Sequence, residues 1–265
     1  MKKSQGEFVM KKLLVAATIL LLIVGCHKAP TLRMQQIPTT KGTIAQEVVI
    51  TPPFKSIVLN GNATIELVNG SYAVMFTGLK KDLHITVTNQ VLYVAAPLSA
   101  NNTIIKVFSP GLKSITVTGN ATVNAKDFKT AGLTVTTKDN GTINLDGQYI
   151  INKIYQSGSG RIDINWIDSD NLFVDSSSSG PICLSGTVNS MVAKLTHNAY
   201  FDARYLRAQR ASVFTTGKAH ADILVLNTLG AFAVDDINIF YYKKPHNLTV
   251  VTNNSGNVLQ PGWIH

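Results

Sequence analysis

A short phrase recurs along this chain: Gly61-Asn62-Ala63-Thr64-Ile65 reappears as Gly119-Asn120-Ala121-Thr122-Val123. With the small central residue as anchor, weaker copies follow at Gly141, Gly160, Gly180, Ala199, Ala219, Asp235 and Gly256. From Ala121 onward the steps are 20, 19, 20, 19, 20, 16 and 21 residues. Two further columns keep the same register. Two residues after the anchor stand Ile65, Val123, Ile143, Ile162, Ile182, Phe201, Ala221, Ile237 and Val258. Six before it stand Ile57, Ile115, Val135, Ile154, Val174, Ala193, Val213, Leu229 and Val250. All are apolar. The column four after the anchor is apolar as well and fails only at Gln260. Period-two alternation means strands with one buried face. A superperiod near twenty leaves no room for a helix of several turns in each repeat. Each repeat is therefore a ring of short strands, and parallel stacking of rings makes an all-β fold, a parallel β-helix or β-solenoid. Right-handed winding is the expectation for parallel crossovers. Eight such coils at about 4.8 Å each would span about 38 Å.

The composition agrees. Only 15% of the 265 residues are charged, 45% are hydrophobic, and there are 19 Gly. The polar bulk is Asn, Thr and Ser, residues of turns and strands. The step from Ala63 to Ala121 is 58 residues, roughly three coils. Strand patterns inside it at 73–76, 83–87, 91–94 and 104–107 read as a β-rich N-terminal cap over 43–114, with coils over 115–265. Asn69-Gly70 and Thr88-Asn89-Gln90 are expected hairpin turns.

The N-terminus reads as a targeting segment. Met10-Lys11-Lys12 opens a basic region and Leu13 to Val24 is an uncharged apolar run. That run is too short for a mature span of about 20 residues but fits a signal-peptide core. It ends in Ile23-Val24-Gly25-Cys26, which looks like a bacterial lipobox and implies a diacylated Cys26 as the mature N-terminus. Met10 is a possible start in place of Met1. The expected organisation is a signal peptide over 1–25, the lipidated Cys26 with a polar tether to residue 42, and one domain over 43–265. The formal net charge of +9 includes +3 from residues 1–25, so the mature chain is only mildly basic. With no dense Lys/Arg stripe, nucleic acid is not an expected partner. His27, rather than Asp, follows the cysteine, and by analogy with enteric lipoproteins this favours the outer membrane.

Further residues carry a family resemblance. The order is Phe54-Lys55-Ser56-Ile57-Val58-Leu59-Asn60-Gly61, then Ile65-Glu66-Leu67-Val68-Asn69-Gly70, then Val91-Leu92-Tyr93-Val94, then Ser109-Pro110-Gly111-Leu112-Lys113-Ser114-Ile115-Thr116-Val117-Thr118-Gly119. Over about residues 43–260 the chain resembles the autotransporter adhesin head, GIN domain family, a domain of unknown function. Members usually carry Gly-Ser-Gly where this chain has Gly61-Asn62-Ala63 and Gly119-Asn120-Ala121; Gly158-Ser159-Gly160 keeps the commoner form. The resemblance implies a right-handed β-helix and, through the family's name, adhesion. It transfers no catalytic residues.

The outward positions hold the candidate site. One column reads Thr64, Thr122, Thr142, Arg161, Pro181, Tyr200, His220, Asp236 and Asn257. The next reads Glu66, Asn124, Asn144, Asp163, Cys183, Asp202, Asp222, Asn238 and Leu259. This register gathers Tyr200, Asp202, His220, Asp222 and Asp236 on one late face. Such a set could hold a divalent cation or do acid–base work on a glycan. The reading preferred here is a solvated polar ladder that keeps a β-face soluble, since outward faces are where charged residues are expected. No calcium nonapeptide, P-loop, nucleophile elbow or zinc motif is present, so neither cofactor nor metal is implied. Cys183 has His197 and His220 one and two coils away but no third orienting group, and reads as a structural thiol. Phe240-Tyr241-Tyr242 and Trp263 are expected to plug the far end of the solenoid, the alternative being a sugar- or protein-binding platform, with a loop or groove around 225–247.

The function expected on these grounds is a lipid-anchored, non-enzymatic envelope protein that presents a rigid solenoid for adhesion to polysaccharide or protein. The alternatives are a polysaccharide-active lyase or hydrolase built on the late-face residues, and a purely structural envelope component.

Overall fold

The computed structural model describes residues 33–36, 46–77, 83–97, 104–128 and 130–261. Cys26, the signal segment, most of the tether and Trp263 lie outside them. Among the described residues all regular structure is β-strand.

The strands follow in order as β1 (Arg33–Gln36), β2 (Gln46–Ile50), β3 (Ser56–Gly61), β4 (Thr64–Asn69), β5 (Ala73–Thr77), β6 (His84–Thr88) and β7 (Val91–Ala96). Then come β8 (Ile104–Ser109), β9 (Leu112–Gly119), β10 (Thr122–Lys126), β11 (Thr130–Asp139), β12 (Thr142–Asp146) and β13 (Ile151–Gly158). Four long bent strands follow: β14 (Ile162–Ser176), β15 (Pro181–Leu195), β16 (Tyr200–Thr215) and β17 (His220–Val234). The last are β18 (Asn238–Tyr241), β19 (Asn247–Asn253) and β20 (Asn257–Leu259).

The repeat columns are physical ladders. Ile65, Val123, Ile143, Ile162, Ile182, Phe201 and Ala221 pair in sequence through parallel strands. The column before the anchor does the same from Ile57 through Ile115, Val135, Ile154, Val174 and Ala193 to Val213. All these side chains are fully buried, and each Ile, Val or Phe among them contributes about 1.5–3 kcal/mol over its exposed state. A third, shorter face closes the ring in the middle coils, where Ile167–Ser169 pairs with 186–188 and then 206–208. The long strands β14 to β17 are thus single chains that turn corners rather than straight elements.

The anchor step to Asp235 is corrected by the pairing. Ala221 lies opposite Ile239, and Ile239 opposite Val258. Val213 lies opposite Ala231. The corner residue of that coil is therefore Ile237, not Asp235, and the step from Ala219 is 18 residues. A slip by two keeps every inward residue inward, so Leu229 and Ile237 are apolar although they stand two places out of register with their columns.

The N-terminal end is built differently from the stack. β7 and β8 form a parallel rung on one side of β3 and β4, while β9 and β10 lie on the other side. The 58-residue step thus holds one added rung and two strands that turn back, not three coils. β6 runs antiparallel to β7 through Asn89 (φ 51°) and Gln90 (φ 61°), the paired positive φ of a tight hairpin. Asn69-Gly70 makes no hairpin, because β8 separates β4 from β5. β5 is antiparallel to β8, β2 to β5, and β1 to β2. Antiparallel strands therefore finish this end of the sheet.

The other end is open among the described residues. β19 pairs with β17 and all its residues are exposed. Leu248 and Val250 continue the inward columns of Leu229 and Ala231 yet are 37% and 44% exposed. Phe240-Tyr241-Tyr242 does not plug that end: β18 lies between β17 and β20.

Candidate functional site

The outward column of the first face brings four of the five predicted residues together. Tyr200 pairs with His220, and Asp202 with Asp222, on consecutive rungs of β16 and β17. The Tyr200 and His220 rings stack with centroids 5.1 Å apart and planes 7° from parallel. Phe240, on the next rung, lies tilted against His220 at 5.3 Å. His220 Nε2 lies 2.9 Å from Asp222 Oδ2, and the Tyr242 hydroxyl donates to Asp222 Oδ1 at 3.1 Å. Asp222 is 4% exposed, so both of its oxygens are spent inside the protein.

Asp202 is closed in the same manner. Arg204 approaches it through Nε at 2.9 Å and a terminal nitrogen at 2.6 Å, with its backbone N–H at 3.2 Å. Burial alone would raise the Asp202 pKa, but these hydrogen bonds and the charge of Arg204 outweigh it and hold it below the usual value. The Arg204 guanidinium also sits 5.6 Å from the centroid of Tyr242. Burial, then the nearby Asp222 charge, raise the pKa of both Tyr200 and Tyr242. Each acid has a base or hydroxyl built against it, and no serine, threonine or cysteine hydrogen-bonds His220 among the described residues.

Asp236 does not join this cluster. Asn238 occupies the rung beyond His220, and Asp236 lies exposed in the bend before β18. The register slip explains the difference. Its neighbour Asp235 has a structural task, accepting from the Gly217 backbone N–H at 3.2 Å and from Asn254 at 3.0 Å. Cys183 lies between Asp163 and Asp202 in the ladder and accepts from Arg161 at 3.4 Å. Desolvation, only partly opposed by Arg161, pushes its thiol up to about 11, which removes the thiolate a nucleophile needs. Among the described residues, no group of three or more His, Cys, Asp or Glu is placed to hold a metal ion.

A further concavity lies on the neighbouring face, away from the residues singled out in the sequence. A groove of about 790 Å³ crosses the rungs and is lined by Gln148, Asp168, Thr187, Asn189, Arg207 and Gln209, among others. Of the expected stretch 225–247, only Leu226 reaches it. The signal was available in the alternation of the short middle strands. It was masked because those strands have only three or four residues each and are offset by bulges.

Comparison with known proteins gives one family and a shared fold. The family model described as "Putative auto-transporter adhesin, head GIN domain" matches residues 53–245. No curated protein matches the chain in sequence. Its fold is similar to a solved putative adhesin of Parabacteroides distasonis, with TM-score 0.73, 19% identity, and 83% of this chain and 98% of that one covered. A putative adhesin of Parabacteroides merdae is similar with TM-score 0.70 and 19% identity, covering 86% of this chain and 100% of that one. A putative lipid binding protein of Parabacteroides distasonis is similar with TM-score 0.68 and 19% identity, covering 88% and 97%.

Proposed function

Because the chain belongs to the auto-transporter adhesin head, GIN domain family, we propose that it is a non-enzymatic binding protein of the cell envelope, held at the outer membrane by a lipid on Cys26. In this reading the solenoid is a rigid scaffold whose polar faces adhere to polysaccharide or to an envelope protein. The observation that carries it is the closed state of the late-face acids. Asp202 is forked by Arg204, and Asp222 is buried against His220 and Tyr242. A lyase or hydrolase needs an acid and a base open to the substrate, whereas these carboxylates are committed to neighbours on their own ladder. The names of the similar structures, two putative adhesins and one putative lipid binding protein, favour a role in contact rather than turnover.

Two measurements test the proposal. The full chain, purified from membranes in detergent, is applied to an array of polysaccharides, and binding is read beside release of reducing or unsaturated ends. Binding without release is expected; release of new ends overturns the non-enzymatic reading. Asp222→Ala is a poor probe here, since removal of a buried, doubly bonded carboxylate disturbs the fold first. For the anchor, Cys26→Ala is expected to move the protein from the membrane to the soluble fraction, and unchanged fractionation would remove the lipid from the proposal.

A further inference from the structure

Trp166 and Tyr205 are the two most exposed large apolar side chains among the described residues, at 68% and 72%. They stand on one corner of the solenoid. Ile167 pairs with Gly186, which puts Trp166 beside Ser185, and Ser185 pairs with Tyr205. The two residues are therefore two rungs apart, roughly 10 Å along the ladder, with a serine between them. That serine is held down: its Oγ accepts from the Trp166 backbone N–H at 3.2 Å and donates to Asn165 at 3.4 Å. Trp166 has φ of 64°, a left-handed conformation that bulky residues rarely adopt, and such outliers cluster where function holds them.

Two residues further along each strand, on the same outward side, the chain enters the groove. Trp166 leads to Asp168, Ser185 to Thr187 and Tyr205 to Arg207. Gln148 and Thr187 donate to the two oxygens of Asp168 at 3.1 and 3.3 Å, and Asn189 donates to Asp170 at 2.7 Å. Arg207 makes no hydrogen bond or ion pair among the described residues. The groove thus offers a free guanidinium, amides and a hydroxyl, with two carboxylates answered only by neutral donors.

We propose that the Trp166–Ser185–Tyr205 corner and the adjoining groove form a binding site for a linear, uncharged polysaccharide running across the rungs. The inference deepens the reading of the chain as a binding protein and rests on it. Aromatic rings offer apolar area with little conformational entropy to lose, and two of them separated by a gap suit alternate sugar rings of an extended chain. A peptide-binding surface would present a continuous apolar patch, which the serine interrupts. Charge selects the ligand further. Asp168 and Asp170 place two negative charges against the single Arg207, so a polyanion is opposed, while sugar hydroxyls can donate to the remaining lone pairs of both carboxylates and accept from Arg207.

The test is affinity electrophoresis of the full chain in gels containing neutral linear polysaccharides (galactomannan, xyloglucan, soluble β-glucan) or anionic ones (polygalacturonate, alginate), at low and at physiological salt. Trp166→Gly suits the positive φ and removes the ring; Tyr205→Ser copies the intervening rung. Tyr93→Ser removes an exposed ring elsewhere on the sheet. Retardation by at least one neutral polysaccharide is expected to survive physiological salt. Each groove-corner variant is expected to weaken it about tenfold or more with an unchanged melting temperature, and Tyr93→Ser to leave it intact. Neutral-glycan retardation that persists in the double variant overturns this site but leaves the binding reading standing. Retardation only by anionic polymers, lost with salt, overturns the ligand class. No retardation by any polymer overturns the inference and polysaccharide binding together.

Discussion

Cys183 shows how one position in a stacked ladder acquires its chemistry from the rungs beside it. Desolvation raises its pKa from the ordinary 9.0 to about 11; Arg161 opposes the rise, and Asp163 and Asp202 add to it. The folded state therefore favours the protonated thiol. Its contribution to stability is fully present below pH 9 and is lost as the pH climbs through 11. Alkylation mapped to the Cys183 peptide is expected to be slow at pH 8, to accelerate toward pH 11, and to jump at pH 8 when urea unfolds the chain. Equal rates in folded and unfolded protein at pH 8 would contradict the buried thiol. The sequence placed this residue and its carboxylate neighbours correctly because they follow the period-two rule. It could not show that Arg204 lies across Asp202, since a side chain two residues along its own strand reaches back only once the corner is built. The exposed rings of Trp166 and Tyr205 were hidden for a related reason: they sit six residues past the anchor, beyond the register shifts that break the count.

Within a coil, the corner is the element that fixes rung spacing. Gly160 sits where an added Cβ would lie 1.9 Å from the Gly141 carbonyl oxygen, and its own carbonyl accepts from the buried Gln156 at 2.7 Å. Gly160→Ala must push two rungs apart and strain the Gln156 latch. A loss on the order of 3 kcal/mol or more is expected in urea unfolding, and a loss below about 1 kcal/mol would show that the corner relaxes. The small-residue anchors were legible for this steric reason, and with them the ladders from Ala121 to Ala219. Two features were not. The slip to Ile237 hides because a shift by two preserves inward and outward faces. The return of β5 and β6 hides because alternation is the same in parallel and antiparallel strands; only the Asn89-Gln90 turn betrayed direction.

The folded unit as a whole has unlike ends. At one, β1, β2, β5 and β6 terminate the sheet in antiparallel pairs; at the other, β19 leaves a fully exposed edge. Deletion of residues 1–111 would bare the edges of β9 and β10 and the apolar side chains beneath β3 and β4. The shortened chain is expected to self-associate, measured as a scattering mass above that of the intact chain at equal concentration. An unassociated fragment with the parent melting temperature would show that the coils need no closure.

The neighbour-only stacking also decides how the molecule carries load. A pull between β1 and a polymer held at the Trp166–Tyr205 corner passes through β2, β5 and β8, then through the rungs from β4 to β14, and bypasses those of β17 to β20. The bonds between rungs lie along the pull, so the rungs separate singly, in succession. Each separation releases about 20 residues of slack, or roughly 70 Å of extended chain. Such a tether is expected to yield in steps rather than to snap.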